Sequence, residues 1–171
     1  VKPLFIGQAP GPSALEVRRS NRGKRIGGRA LAGAAGERLA SLGGLASVDD
    51  FLARVDTVNV LVEYPGPAPQ KGDAFPMPGA TRRARVLRYE HAHRDQIVLV
   101  GIAVARAFGF DDPPLCEWMI DVIAFDKEIQ WAVIPHPSGV NRWWNDPINK
   151  ALAEVFLHSL FDDAKKRRAT R

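Results

Sequence analysis

The sequence predicts an α/β domain built on a mostly parallel sheet, and three observations carry that expectation. Short apolar runs rich in β-branched residues recur at Leu4 to Ile6, Asp56 to Val62, Gln96 to Val100 and Ile129 to Ile134, each about the length of a buried strand. Segments with helical spacing stand between them. Each run ends in a glycine or proline turn, and strands alternating with helices over 171 residues imply a parallel sheet covered on both faces. Ligands on such sheets gather beyond the carboxyl ends of the strands.

The first run delivers the chain into G-Q-A-P-G-P, a tight turn that exposes backbone N–H groups. Ser13 to Glu16 has the spacing of a helix cap, and a long basic loop follows. From Ala30 to Leu42, Leu31, Ala35, Leu39 and Leu42 recur at helical intervals, with Gly43-Gly44 as the stop. Ser47 is the N-cap candidate of a second helix that runs to Arg54. The strand Asp56 to Val62 has one odd member, Asn59. After it, a Pro- and Gly-rich loop from Tyr64 to Gly79 is long enough to suggest a function. Thr81 to His93 reads as a basic amphipathic helix, Gln96 to Val100 as a strand ending at Gly101, and Ile102 to Phe108 as a short helix stopped by Gly109. Glu117 to Phe125 suits an edge hairpin or an irregular segment, and Ile129 to Ile134 is the last strand. Asp146-Pro147 then opens a C-terminal helix, aspartate as N-cap and proline at the first position, with Ile148, Leu152, Val155 and Phe156 as its apolar stripe. The expected organisation is one domain over residues 1–161 and a frayed basic tail over 162–171.

With 46% hydrophobic residues the chain can bury a core without staples. Its single cysteine, Cys116, excludes an intrachain disulfide framework and a cysteine-held metal cluster, and fits a reducing, cytoplasmic setting. No early apolar segment is long enough for a signal peptide or a membrane span. The opening Val1 suggests a native start upstream. The formal charge of +5 is gathered into patches: Arg18 to Arg29, then Arg82, Arg83, Arg85 and Arg88, then Lys165 to Arg171. Any one patch fits a solvated face; three together point to a polyanionic partner, most simply nucleic acid.

The chemistry concentrates in Ile134 to Asp146, I-P-H-P-S-G-V-N-R-W-W-N-D. Pro135 and Pro137 restrict the backbone on both sides of His136, so its imidazole is aimed where a buried strand surfaces. Of Trp143 and Trp144, one is expected to support the loop from beneath and one to face a partner. Three unusual features therefore lie at strand ends or just past them: G-Q-A-P-G, Asn59 and H-P-S-G.

In the order and placement of G-Q-A-P-G at Gly7 to Gly11, T-V-N-V at Thr57 to Val60, I-V-L-V-G-I-A-V-A-R-A at Ile97 to Ala107 and I-P-H-P-S-G-V-N at Ile134 to Asn141, the chain resembles the uracil-DNA glycosylase superfamily. The resemblance implies a three-layer α/β/α sandwich around a four-stranded, mostly parallel sheet. It implies that Asn59 reads the Watson–Crick edge of an extruded pyrimidine, its carbonyl accepting from a base N–H and its NH₂ donating to a base carbonyl. By the same resemblance His136 donates to the base oxygen that gains negative charge as the N-glycosidic bond breaks. Ser138 matches a phosphate-contacting serine, Val140 an apolar wedge that fills the gap in the base stack, and Gln8 a position that lines the pocket and holds the attacking water. Gly139, Asn141 and Arg142 belong to the same DNA-contacting loop, with Arg18, Arg22 and Lys24 as further phosphate contacts. The activity implied is that of a monofunctional DNA glycosylase for uracil or a modified pyrimidine, acting as a monomer on single- or double-stranded DNA without metal or organic cofactor.

The chain departs from the family at the base site. One branch carries an aspartate where Ala9 stands, and an iron–sulfur branch a glutamate at the position of Gln8 and four cysteines in place of one. Where relatives stack a phenylalanine on the base, the nearest match is Ile26, whose aliphatic wall leaves room for a larger base. Two alternatives follow: a defence glycosylase acting on bulky modified bases of phage DNA, and a DNA-binding module that has kept the fold without the chemistry. A nucleotide-binding enzyme using G-x-x-P-G as a phosphate turn lacks the phosphate-loop lysine and G-x-G-x-x-G. His91 and His93 fit surface positions better than a metal pair, and His158 has no assigned task.

Overall fold

The computed structural model describes residues 1–10, 29–68, 74–123, 127–138 and 141–169. Strands β1 (Leu4–Gly7), β2 (Asp56–Asn59), β3 (Gln96–Val100), β4 (Met119–Ile123) and β5 (Lys127–Ile134) form a sheet ordered β2-β1-β3-β5-β4. The sheet thus has five strands, not four. The first four in that order run parallel, and β4 pairs antiparallel with β5, Met119 opposite Trp131 and Ile123 opposite Lys127. This is the edge hairpin that Glu117 to Phe125 allowed. Its pairing extends β5 back to Lys127, before the apolar run begins.

Helices α1 (Ala34–Leu42), α2 (Val48–Arg54) and α5 (Pro147–Ala169) pack on one face of the sheet, and α3 (Met77–Glu90) and α4 (Ile102–Ala107) on the other. The period-two alternation of the strands divides the core. Phe5, Val98, Val100, Ala132 and Ile134 point toward Leu39, Phe51, Phe156 and Leu157, whereas Leu4, Ile6, Ile97, Leu99, Trp131 and Val133 point toward Ala84, Leu87 and Val104. Three layers are the result. Edge-to-face contacts from Phe51 to Phe5 at 5.2 Å and to Phe161 at 6.1 Å bind α2 to both sheet and α5. No described helix is long and apolar enough to cross a membrane.

Two caps behave as their residue types dictate. Ser47 Oγ accepts from the Asp50 N–H at 3.2 Å and Asp146 Oδ1 from the Ile148 N–H at 2.8 Å. Other boundaries move. Strand β2 ends at Asn59 rather than Val62; the chain stays beside β1 as Val60 N–H donates to Gly7 and Leu61 N–H to Gln8, but Val62 turns outward and is exposed. Helix α1 starts at Ala34, because residues 29–33 are taken up by a turn in which Leu31 adopts φ +59°. Helix α3 starts earlier, at Met77, with proline in its first turn.

The expected stripe of α5 is rotated. Of its four residues only Phe156 is buried; Ile148, Leu152 and Val155 are exposed, and the helix instead buries Ala153, Leu157, Leu160 and Phe161. Gly43 and Gly44 explain the choice. A Cβ on Gly43 would lie 2.3 Å from the Phe161 ring and one on Gly44 2.4 Å from the His158 ring, so the paired glycines form the notch in which this part of α5 sits. The His158 ring lies over Gly44, although the residue is exposed. The helix also continues through Ala169, across the boundary expected for a tail.

Another glycine permits the packing of α1. A Cβ at Gly36 would stand 1.7 Å from the Leu31 carbonyl oxygen and 3.0 Å from Val48. A backbone oxygen cannot swing away as a side chain can. Gly36→Ala is expected to destabilise the protein at or above the roughly 1–3 kcal/mol typical of overpacking, read as a lowered urea midpoint at unchanged m-value. Gly79→Ala is the control: it lies within α3 with nothing within 4 Å and should gain about 0.5–1 kcal/mol.

Candidate functional site at the carboxyl edge of the sheet

Parallel register brings the unusual sequence features to one edge. Gly7 pairs with Asn59, and Val100 with Ile134, so the turn after β1, the end of β2, Gly101 and His136 all stand at the carboxyl ends of neighbouring strands. With strands about 4.8 Å apart, the ends of β2 and β5 are roughly 14 Å apart across the intervening β1 and β3. Glycines on those two middle strand ends decide how that distance is spanned. A Cβ on Gly7 would meet Asn59 Oδ1 at 2.6 Å, and one on Gly101 would meet His136 Cβ at 3.4 Å and Cδ2 at 3.9 Å. The Asn59 amide therefore reaches toward the end of β1, and the His136 side chain stands beside the end of β3, its Cβ nearer to Gly101 than its ring. Gly101, at φ +112°, also holds a backbone conformation that side chains oppose.

The His136 loop is held by its own main chain. The His136 carbonyl accepts from Ser138 N–H at 2.8 Å, from Asn141 Nδ2 at 3.1 Å and from Trp144 Nε1 at 3.0 Å. Asn141 also accepts the Trp143 N–H at 3.1 Å on Oδ1, capping the 3-10 turn Arg142–Asn145. Its amide thus organises the loop. Trp144 is buried and Trp143 half-buried against the same core cluster, so Trp144 is the supporting tryptophan. Arg38 of α1 lies 5.2 Å over the Trp144 ring and donates to the Ser138 carbonyl at 3.5 Å, which joins α1 to the loop. Sequence spacing offered no sign of Arg38, since 100 residues separate it from Ser138.

Asn59 also borders a cavity of about 250 Å³ beside β2, lined with it by Pro10, Thr57, Leu61, Arg29 and Arg83 among others. His136 is not among the described walls of this cavity. The Thr57 hydroxyl is buried and has no hydrogen-bond partner among the described residues, two residues before Asn59 and on the same face of β2. Arg29 donates to the Leu52 carbonyl at 2.5 Å and Arg83 pairs with Glu90 at 3.3 Å, so both cations are anchored at the cavity wall. They belong to the basic patches of the sequence, but their place beside Asn59 comes from the fold. Leu31 supplies an aliphatic side chain 3.4 Å from a Cβ built on Gly7.

Of the remaining expected residues, Gln8 and Ala9 are half-buried in the turn after β1, Gln8 with its carbonyl bonded to Leu61 N–H at 2.9 Å. Ser138 is half-buried and Arg142 exposed. Arg18, Arg22, Lys24, Ile26, Gly139 and Val140 lie outside the described residues, as does the expected helix cap at Ser13.

Cys116 is no candidate nucleophile. Burial, and secondarily the Glu117 carboxylate, push its thiol up to about 12, and the thiolate is the reactive form. Of the two neighbouring histidines, His93 is exposed and His91 half-buried; burial first and Arg94 second hold the His91 pKa below its usual value. Among the described residues no three His, Cys, Asp or Glu side chains come together as a metal site. No protein-family model matches the chain, and no curated protein matches it.

Proposed function

We propose that the protein is a DNA glycosylase that hydrolyses the N-glycosidic bond of an extruded uracil or modified pyrimidine. The observation that carries this reading is the placement of Asn59 against Gly7 and of His136 against Gly101 at one sheet edge. In this mechanism the Asn59 amide selects the base by complementary donor and acceptor, and the His136 imidazole donates to the oxygen that becomes anionic as the base leaves. The loop carbonyl clamp fixes the backbone from which the imidazole projects, and a donor to the departing base oxygen stabilises chiefly the transition state. Gln8 positions water, and cleavage through a cation-like sugar needs little base assistance from the carboxylate-free Gly7 to Gly11 turn.

That missing carboxylate favours the second reading, a DNA-binding module without chemistry. One measurement separates the two. The purified chain is incubated with oligonucleotides carrying uracil, or bulky modified cytosine or thymine, and free base is followed under single-turnover conditions. Uracil release supports a repair enzyme and release confined to bulky bases supports a defence enzyme. Binding to every oligonucleotide without release of any base overturns the enzyme reading.

A further inference from the structure

Away from Asn59 and His136, helices α3 and α4 enclose a cavity of about 190 Å³ lined by Thr81, Ala84, Arg85, Arg88, Arg106 and the turn that ends α4 at Gly109. Thr81, Ala84, Arg85 and Arg88 follow the i, i+3, i+4, i+7 rhythm of one helix face, so α3 presents a hydroxyl, a small residue and two guanidiniums to this space. Arg106 adds a third guanidinium from α4.

The three cations are not equivalent. Arg88 is neutralised by Asp121 and stacked over Trp131 at 5.2 Å and Phe110 at 5.7 Å, which makes it a fixed wall. Arg85 and Arg106 are exposed, and no described carboxylate pairs with either. The end of α4 does not require them as caps, because the N–H groups of Phe108, Gly109 and Phe110 already return to the carbonyls of Val104, Ala105 and Arg106. Two uncompensated like charges therefore share a cavity with the room of about six water molecules. An anion in this space would meet two guanidiniums that no described carboxylate neutralises.

We infer that this cavity binds a phosphate oxyanion, with Arg85 and Arg106 donating from its two sides and the Thr81 hydroxyl within the same space. Guanidinium forks match phosphate oxygens in a way that single point charges do not. The phosphate belongs either to a nucleic-acid backbone or to a free anion. This inference does not depend on base excision.

The test uses the full chain, titrated calorimetrically with inorganic phosphate and, by fluorescence anisotropy, with a labelled single-stranded oligonucleotide lacking uracil and modified bases. The double variant Arg85→Gln/Arg106→Gln should weaken phosphate binding at least tenfold at unchanged melting temperature. Arg82→Gln, on the same helix but outside the cavity wall, should leave it unchanged. If the phosphate is a backbone phosphate, the double variant also lowers the slope of log K against log salt by about 0.7, one phosphate's share on a single strand. An unchanged slope with lost phosphate binding assigns the site to a free anion. Phosphate binding equal to wild type in the double variant, or none in the wild type, overturns the inference.

Discussion

On the proposed glycosylase reading, replacing His136 with alanine is expected to slow base release by about 10²–10³-fold, the effect of removing one pre-organised donor to a developing oxyanion. The loss should appear in the single-turnover rate, with affinity for the same oligonucleotide within about twofold of wild type, because a group that acts only in the transition state contributes little to ground-state binding. His136 is half-buried on a loop held by its carbonyl, so truncating the ring leaves the Ser138, Asn141 and Trp144 bonds in place. A variant that turns over as fast as wild type would remove His136 from the mechanism. Gly7→Ala probes the other side of the edge. Its Cβ would stand 2.6 Å from Asn59 Oδ1, and the amide, as the end of a flexible side chain, can swing aside with the fold intact. Base discrimination should fall with it.

A large stability effect is expected at Trp144, which is buried beneath the His136 loop. Trp144→Ala removes a buried indole from the cluster of Phe156, Leu157 and Ala153 and should cost about 3–5 kcal/mol. Trp144→Phe keeps most of the volume but loses the Nε1–H donor to the His136 carbonyl, a loss of about 0.5–1.5 kcal/mol. Denaturant unfolding of the two variants separates packing from hydrogen bonding. Both should slow base release beyond what stability explains, since the loop that aims His136 rests on this side chain. A Trp144→Ala protein as stable as wild type contradicts the supporting role.

The five-residue run Gln96 to Val100 became a strand with the predicted bounds, and Ser47 and Asp146 capped the helices they were expected to cap. These outcomes depend on local chemistry: β-branched packing, proline geometry and a side-chain oxygen within reach of the next amide. Strand β4 was only one of two readings for Glu117 to Phe125, because an edge strand is defined by the neighbour it pairs with. Helix α5 carries apolar residues on more than one side. Periodicity names a helix there but cannot choose between the face of Ile148, Leu152 and Val155 and the face of Leu157, Leu160 and Phe161.

By itself, then, the amino-acid order determined the alternation of strands and helices, the turns that end them, and the candidate chemical groups at strand ends. The tertiary structure alone decided that β1 and β3 stand between Asn59 and His136, that α5 turns the face containing Phe161 inward, and that Arg38 reaches the His136 loop. The reason is physical. Caps, turns and strand propensity act over a few residues, whereas strand order and helix rotation are set by complementary shape between distant segments, here by glycines whose missing side chains make room for an asparagine, a histidine and a phenylalanine.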